Sequence, residues 1–317
     1  MTDETLHLYL FPASFFSQKI RIALEEKQLK YKETFISLFA KEQNEVWFLR
    51  INPQGQVPVL KIGDAIVTDS ERILEAVDKL ESGKGKRLVP DVSTEEGKLV
   101  SEWRKRFNSV DVENLSYGVM LNTELVPDKA KVKALTSGMT LKGYHEGMQK
   151  AIADLEAKKE KNPDLIDALD AKIATSQGRL QNQFLKEDIE KVLNDVEKVL
   201  DDVEIQLRKS RTENILEHWL CGPNYTAADI FLCVLLGRLD WIGLLDRYAD
   251  PEKRPALVEY WMQAQQRPSV KKCVLHAIAD VVNHHKKKIA TRVAGGTAVA
   301  GAAVLLGVFI AKKIKDL

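Results

Sequence analysis

Few residues in this chain could do chemistry in a recognisable pattern, and the cysteines are the first to consider. Cys221, Cys233 and Cys273 are an odd number, and no Cys-x-x-Cys pair occurs. These spacings indicate neither a disulfide framework nor a zinc site, so we expect no metal. Each cysteine has apolar or helical neighbours, which is typical of buried structural thiols in a reducing, cytosolic environment.

Two polar pairs stand where helices are predicted to begin. Asp69-Ser70 follows a strand and opens a helix, where either residue could serve as a cap. Thr226 and Asp229 have the Thr-x-x-Asp spacing of a capping box before an apolar run, which predicts a structural role. The residues alone therefore predict a helix start at both pairs.

The elements that must position these residues alternate in the N-terminal third. We predict strands at Leu6–Phe11 and Tyr31–Leu38, a helix at Lys19–Lys30 with Ser17 as its N-cap, a short helix at Glu42–Ile51, strands around a turn at Gly63-Asp64, and a helix from Asp69-Ser70 to about Leu80. This order suits a mixed sheet with helices on its faces. We therefore expect an α/β, thioredoxin-like domain over residues 1–82.

Beyond a polar, Gly-rich linker at 83–94, the chain is almost wholly helical, which predicts an all-α domain over residues 95–283. Glu95–Leu115 has an amphipathic spacing. Apolar residues from Ile189 to Leu207 repeat at helical spacing and predict a long helix packed into the bundle, with a coiled-coil or partner-binding role as the alternative. Ala227–Arg238 is nearly all apolar, so we expect this helix at the centre of the domain.

The C-terminal segment differs from the rest of the chain. Val293 to Ala311 is 19 residues without a charge, and basic residues flank both ends. A helix of that length spans about 28 Å, close to the thickness of the hydrocarbon core of a bilayer. We predict a transmembrane tail anchor over residues 293–311 with the body facing the cytosol. A hydrophobic helix packed on the domain or on a partner is the alternative.

Composition agrees with this division. The 317 residues suggest two domains, and 47 Lys and Arg against 46 Asp and Glu give a net charge of +1. From His284 onward seven basic residues stand against one acid, so that segment carries +6 and residues 1–283 carry −5. The near-balance excludes a nucleic-acid-coating protein. A mildly acidic body thus carries a basic, apolar tail.

Three stretches resemble the glutathione transferase superfamily: Ser17–Leu24, Asn52–Leu60 and Thr68–Leu74. The resemblance implies a cis Val57-Pro58 bond, with the Val57 backbone pairing with the cysteinyl part of glutathione. It implies that Asp69 and Ser70 receive the γ-glutamyl end, and that glutathione is a ligand or co-substrate. By position, Ser14 is the candidate catalytic hydroxyl and Ser17 the second choice. Bulky Phe15 and Phe16 depart from the pattern of the serine classes, which leaves enzymatic activity open.

The chain is longer than an ordinary transferase of this superfamily, and the excess falls at about 117–183. Within it, Asn162 followed by Pro163 fits an N-cap and first helical position. Together with the transferase-like body and the tail, this insertion resembles the ganglioside-induced differentiation-associated protein family. The local match includes Phe16–Arg21, Trp47–Asn52, Asn162–Leu165 and Trp219–Gly222.

That narrower resemblance implies a tail-anchored protein of the mitochondrial outer membrane, with peroxisomes as a second location. It implies a role in mitochondrial network organisation, fission and redox homeostasis, with weak or no transferase activity. A homodimer is expected, and organelle-dynamics proteins are candidate partners of the helical insertion. The alternative function is an active, membrane-bound transferase that conjugates glutathione to electrophilic lipids.

Overall fold

The computed structural model describes residues 5–127, 140–211 and 218–294. Its N-terminal part is a four-stranded mixed sheet with strand order β2-β1-β3-β4, flanked by helices. The elements are β1 (Leu6–Leu10), α1 (Phe15–Glu26), β2 (Tyr31–Phe35), a 3-10 turn (Glu42–Asn44), α2 (Val46–Ile51), β3 (Val59–Ile62), β4 (Ala65–Thr68) and α3 (Ser70–Lys79). Strand β1 is parallel to β2 and antiparallel to β3, which confirms the predicted thioredoxin-like arrangement.

Helix α1 begins earlier than predicted. Its N-cap is Ser14, whose backbone is extended and whose hydroxyl accepts a hydrogen bond from the Ser17 amide at 3.3 Å. The prediction of Ser17 as the cap was wrong because Phe15 already buries its ring in the core from the first helical position. Ser17 therefore lies inside the first turn.

The C-terminal part is helical, as predicted. Its main helices are α4 (Glu95–Asn108), α5 (Leu141–Lys159), α6 (Ile166–Leu180), α7 (Lys186–Ser210), α8 (Ala227–Trp241), α9 (Pro255–Ala264) and α10 (Ala277–Ala294). Shorter helical turns lie at Asn114–Gly118, Val119–Leu121, Thr123–Leu125, Pro163–Leu165, Leu245–Tyr248, Pro268–Val270 and Lys271–Leu275. Helix α4 ends at Asn108, short of the predicted Leu115, and a π-helical turn at Asn114–Gly118 follows. Helices α5 and α6 form a hairpin within the predicted insertion.

Helix α8 is the centre of the helical domain and is buried along almost its whole length. Its predicted capping box is present, with Asp229 accepting from the Thr226 amide at 2.8 Å. The same carboxylate also accepts from the Leu220 amide, the Thr226 hydroxyl and the Tyr260 hydroxyl. Burial raises the pKa of Asp229 to about 6, against the opposing effect of these donors. Thr226 and Asp229 thus have the structural role that their spacing predicts.

The long helix α7 packs into the bundle. Its apolar face, Ile189, Leu193, Val196, Leu200, Val203 and Leu207, belongs to the main core. The Tyr248 hydroxyl donates to the Leu193 carbonyl at 2.9 Å, which fixes α7 against the neighbouring turn. These contacts favour the interpretation as a bundle helix over a free coiled-coil surface.

The C-terminal helix α10 is described as far as Ala294, so most of the predicted Val293–Ala311 span lies outside the described residues. Over 5–127, 140–211 and 218–294, no helix has both the length and the apolar character needed to cross a membrane.

The two parts share a polar interface centred on α1. Arg21, which is buried, donates to Glu33 at 2.9 Å and to Asp280 of α10 at 3.0 Å. Arg267 binds Glu26 from the other side. The packing of α1 against both α3 and α8 makes this helix the joint between the sheet and the bundle.

Candidate functional site

Strand register brings three separate segments to one end of the sheet. Tyr9 of β1 faces Val59 of β3, and Val59 in turn faces Thr68 of β4. Because β3 is antiparallel to both neighbours, its first residue lies beside the last residues of β1 and β4. The segments just outside these strands therefore meet. They are the β1–α1 loop with Ser14, the Val57-Pro58 turn and the Asp69-Ser70 helix start.

The Val57-Pro58 bond is cis, as the superfamily resemblance implies. The turn before it is organised by Asn52, whose side-chain amide donates to the Gln56 carbonyl at 2.9 Å and whose oxygen accepts from the Gln54 amide at 3.2 Å. Gly55 in this turn has a positive φ of 55°, and a Cβ there would stand 2.7 Å from the Gln43 carbonyl oxygen. Only glycine fits this position without displacing the backbone.

Asp69 caps α3 in an unusual conformation. Its φ is 70°, and its Oδ1 accepts from the amides of Glu71 at 3.0 Å and Arg72 at 3.1 Å. Non-glycine residues in such regions cost about 1–3 kcal/mol and occur often at ligand sites. Both bonds use Oδ1, while the side chain as a whole is exposed. Ser70, the first residue of α3, is buried. Asp69 therefore caps α3 with Oδ1 and leaves Oδ2 available to a ligand.

The two candidate hydroxyls differ in accessibility. Ser14 is half-buried, whereas Ser17 is completely buried and its oxygen accepts from the Phe11 amide at 3.4 Å. This favours Ser14 over Ser17 as the group that could approach a ligand. The β1–α1 loop is fixed from the helical domain, since Arg238 of α8 donates to the Ala13 carbonyl at 2.7 Å.

Lys19 is a neighbour of the site that sequence reasoning missed. It is completely buried, donates to the Asn108 side chain at 2.8 Å and lies 3.6 Å from the centroid of the Phe231 ring. Burial lowers its pKa to about 7, with the carboxylates of Glu71 and Asp69 acting in the opposite direction. A signal existed in the chain, because Lys19 stands four residues from buried Phe15 and from buried Ala23, and so shares their helical face.

A second missed lysine comes from the insertion. Lys172 of α6 donates to the Gln54 carbonyl at 3.1 Å and to the Gly55 carbonyl at 2.6 Å, in the turn that leads to Val57. Burial lowers the pKa of Lys172 to about 8, and the nearby charges of Arg179 and Lys41 act in the same direction. Its spacing after buried Leu169 placed it on the packed face of α6.

The cysteines do not contribute to this edge of the sheet. All three are free, and burial raises the pKa of Cys233 and of Cys273 to about 12, far from the values of reactive thiols. Within the described part of the chain, no group of three or more His, Cys, Asp or Glu residues could hold a metal ion. The polar groups gathered at this end of the sheet are the Ser14 hydroxyl, the Asp69 carboxylate and the Val57 backbone.

The two cavities described here lie away from this end of the sheet. A cavity of about 320 Å³ lies in the helical domain beside Leu207, His218 and Tyr260. Another of about 250 Å³ is lined by Asp111, Glu113 and Arg179 among others. Neither is lined by the residues gathered at the sheet edge. We base the site on strand register, because a ligand that pairs with an exposed backbone edge needs a groove and not an enclosed cavity.

Comparison with known proteins finds glutathione S-transferase domains in both parts of the chain. Residues 13–80 match the glutathione S-transferase N-terminal domain, and residues 163–274 match the C-terminal domain. The solved β-etherase LigF from Sphingobium superposes with a TM-score of 0.60 at 23% identity, covering 85% of this chain and 98% of that one. Ure2p, solved in complex with glutathione, superposes with a TM-score of 0.57 at 16% identity, covering 86% of this chain and 99% of that one. At these identities the likeness shows the fold alone.

Similarity among characterised sequences is more specific. The tetrachloro-p-hydroquinone reductive dehalogenase of Sphingobium chlorophenolicum is 27% identical over 83% of this chain and 92% of its own length. Human ganglioside-induced differentiation-associated protein 1-like 1 is 31% identical over 278 residues, which cover 85% of this chain and 73% of that protein. The mouse protein of the same name is 30% identical over 85% of this chain and 74% of its own length. With its glutathione transferase fold, the chain belongs to the ganglioside-induced differentiation-associated protein family.

Proposed function

We propose that this chain is a glutathione transferase-like protein, anchored by its C-terminal tail in the mitochondrial outer membrane, that binds glutathione and regulates mitochondrial network organisation, fission and redox homeostasis. Its transferase turnover is weak or absent. The observation that carries the binding part is the meeting of Val57-Pro58 with Asp69-Ser70 at one end of the sheet, through the Val59–Thr68 register.

The binding mode follows from the chemistry of these groups. The Val57 backbone pairs with the cysteinyl backbone of glutathione as a further strand would. Asp69 receives the ammonium group of the γ-glutamyl residue, and Ser70 with the start of α3 receives its carboxylate. Asp69 serves both as cap and as ligand contact, since its two hydrogen bonds to backbone amides use a single carboxylate oxygen.

Weak turnover is supported by the surroundings of Ser14. Its role as the α1 cap fixes the orientation of the side chain, because the hydroxyl accepts from the Ser17 amide, and the apolar Phe16 ring is exposed beside it. A hydroxyl that must hold a thiolate near neutral pH needs a preorganised polar setting. The three cysteines offer no substitute, because burial raises the pKa of each thiol.

An active transferase at the membrane is the second candidate. It is favoured by the half-buried, ligand-accessible position of Ser14 and by the likeness to a relative named as a reductive dehalogenase. In that function, glutathione would be conjugated to electrophilic lipids. Measurable turnover of a general electrophile, lost on Ser14→Ala, would favour this candidate over the first.

The location is proposed from the tail and from the family. The uncharged stretch from Val293 to Ala311 between basic flanks supports a tail anchor with the body in the cytosol. The mitochondrial outer membrane, with peroxisomes as a second site, is what the family resemblance implies.

The first test is a calorimetric titration of glutathione into the purified protein. We expect saturable binding at millimolar concentration or below, weakened about tenfold by Asp69→Ala because a charged hydrogen-bond partner is lost. The matched control is Asp64→Ala, which removes an exposed carboxylate at the far turn of the same β3–β4 hairpin. A protein that neither binds glutathione nor turns over a general electrophile would rule out both candidate functions of the site.

A further inference from the structure

We propose that the α5–α6 hairpin is a working part of the glutathione site, in which Lys172 is a positioning residue that holds the Gln54–Pro58 turn and so sets the orientation of the Val57 backbone. This inference rests on the proposed function, because it concerns the affinity of the same site. It assigns to the insertion a role in binding the thiol peptide, a role otherwise given to the sheet domain.

The α5–α6 hairpin packs against the sheet domain through apolar contacts. Leu49 of α2 packs in one cluster with Leu155 of α5 and with Leu169 and Ile173 of α6. Around this cluster, Lys158 donates to the Asn44 carbonyl at 2.8 Å. At the hairpin tip, Arg50 pairs with Asp164 at 3.0 Å. Burial of large aliphatic side chains supplies the docking energy, since the tip pair is exposed and screened by solvent.

Lys172 adds a polar contact between the hairpin and the Gln54–Pro58 turn. Its amine donates to two successive carbonyls, those of Gln54 and Gly55, and the side chain is buried. The Lys172 stem also stands beside Gly55, where an added Cβ would lie 3.1 Å from Cε of the lysine. The turn is therefore held from inside by Asn52 and from outside by Lys172. Val57 follows two residues later, so the direction of its backbone depends on both supports.

A buried amine is a costly way to stabilise a fold. It loses hydration, and replacing a buried charge by an apolar side chain of similar volume is often neutral or stabilising. The neighbouring Lys41 and Arg179 carry charges of the same sign, and Arg179 pairs with the Glu113 carboxylate. The role of Lys172 is thus better measured in ligand affinity than in stability.

The test compares Lys172→Met with Lys150→Met in the full-length chain in detergent micelles. Lys150 is exposed on α5, so its replacement makes the same chemical change in the same hairpin away from the turn. Glutathione affinity is measured by calorimetry, thermal stability by the unfolding midpoint, and the turn by hydrogen exchange of the Gln54 and Gly55 amides. In the native turn, both amides bond to Asn52.

We expect Lys172→Met to weaken glutathione binding about tenfold and to accelerate exchange of the turn amides in the absence of ligand, with an unfolding midpoint no lower than that of the wild type. Lys150→Met should match the wild type in all three measurements. Unchanged affinity and exchange in Lys172→Met would overturn the proposal, as would an affinity loss matched by a lower midpoint. If the wild type does not bind glutathione, faster exchange in Lys172→Met still supports positioning of the turn, while the proposed function fails.

Discussion

At the scale of single residues, burial decides what the charged groups of this protein can do. Lys19 is enclosed between the sheet domain and the bundle, where three aromatic rings and the Asn108 side-chain amide surround its amine. Asp69, at the start of α3, is exposed, and its two hydrogen bonds to backbone amides use a single carboxylate oxygen. Residue type alone would place both side chains at the surface, and the position of Lys19 on the buried face of α1 is what separates them.

Lys19 predicts a specific pH dependence of stability. The unfolded chain holds a proton on this lysine up to about pH 10.5, and the folded chain only up to about pH 7. Between these values the unfolded state binds more protons, so this group makes the free energy of unfolding rise with pH. Lys19→Met removes that contribution. The variant should be more stable than the wild type at pH 7, and the difference should shrink towards pH 10.

Urea unfolding at pH 7, 8 and 9.5 measures this effect. Lys30→Met, a change at an exposed position just after α1, serves as the control and should follow the wild type at each pH. A Lys19→Met curve parallel to the wild-type curve would show that Lys19 does not change its protonation on folding in this range.

At the scale of elements, the sequence predicts what depends on local periodicity and misses what depends on distant contacts. The alternation of buried Leu6, Leu8 and Leu10 reveals β1, and the apolar run after Thr226 reveals α8. The contact between Lys172 and Gly55 joins residues 117 positions apart, and no periodic pattern encodes it. The start of α1 was also missed, because Phe15 is buried at the first helical position and Ser14 is therefore the N-cap. The candidate site was found through motif resemblance, whereas its support by the hairpin was not.

The cap of α8 gives the prediction that belongs to this scale. Asp229→Ala leaves the amides of Leu220 and Thr226 without their acceptor in a fully buried position. We expect a loss of about 3 kcal/mol in the free energy of unfolding, since each unsatisfied buried donor costs about 1–3 kcal/mol. Chemical denaturation monitored by circular dichroism measures it. Asp246→Ala, at an exposed position, should be near neutral, and an equally mild effect of Asp229→Ala would contradict the structural role of the cap.

At the scale of the whole molecule, charge is divided between an acidic body and a basic tail. The proposed tail anchor would combine two attractions to a membrane, from the apolar stretch at Val293 to Ala311 and from the flanking lysines and arginine. Basic residues near an anionic surface contribute about 1 kcal/mol each and are screened by salt, whereas an inserted helix is not released by salt. The two contributions can therefore be separated experimentally.

Deleting residues 293–317 should convert a membrane-bound protein into one that is soluble in the cytosol. Replacing Lys286, Lys287 and Lys288 by Gln should leave attachment resistant to high salt, because the apolar stretch is intact. Fractionation of cells with salt and alkaline washes provides the measurement. Continued organelle attachment of the deletion variant would refute the anchor. Sedimentation of that variant would also test the predicted homodimer.

The joint at α1 has a consequence for how the protein is made. Arg21 is synthesised early, yet one of its two acidic partners, Asp280, follows 259 residues later. The Phe35 ring likewise packs against His284. Domains of many proteins fold one after another as they leave the ribosome. Here the first domain cannot complete its charge pairing until the segment around Asp280 has left the ribosome, so its native assembly depends on the synthesis of the helical domain.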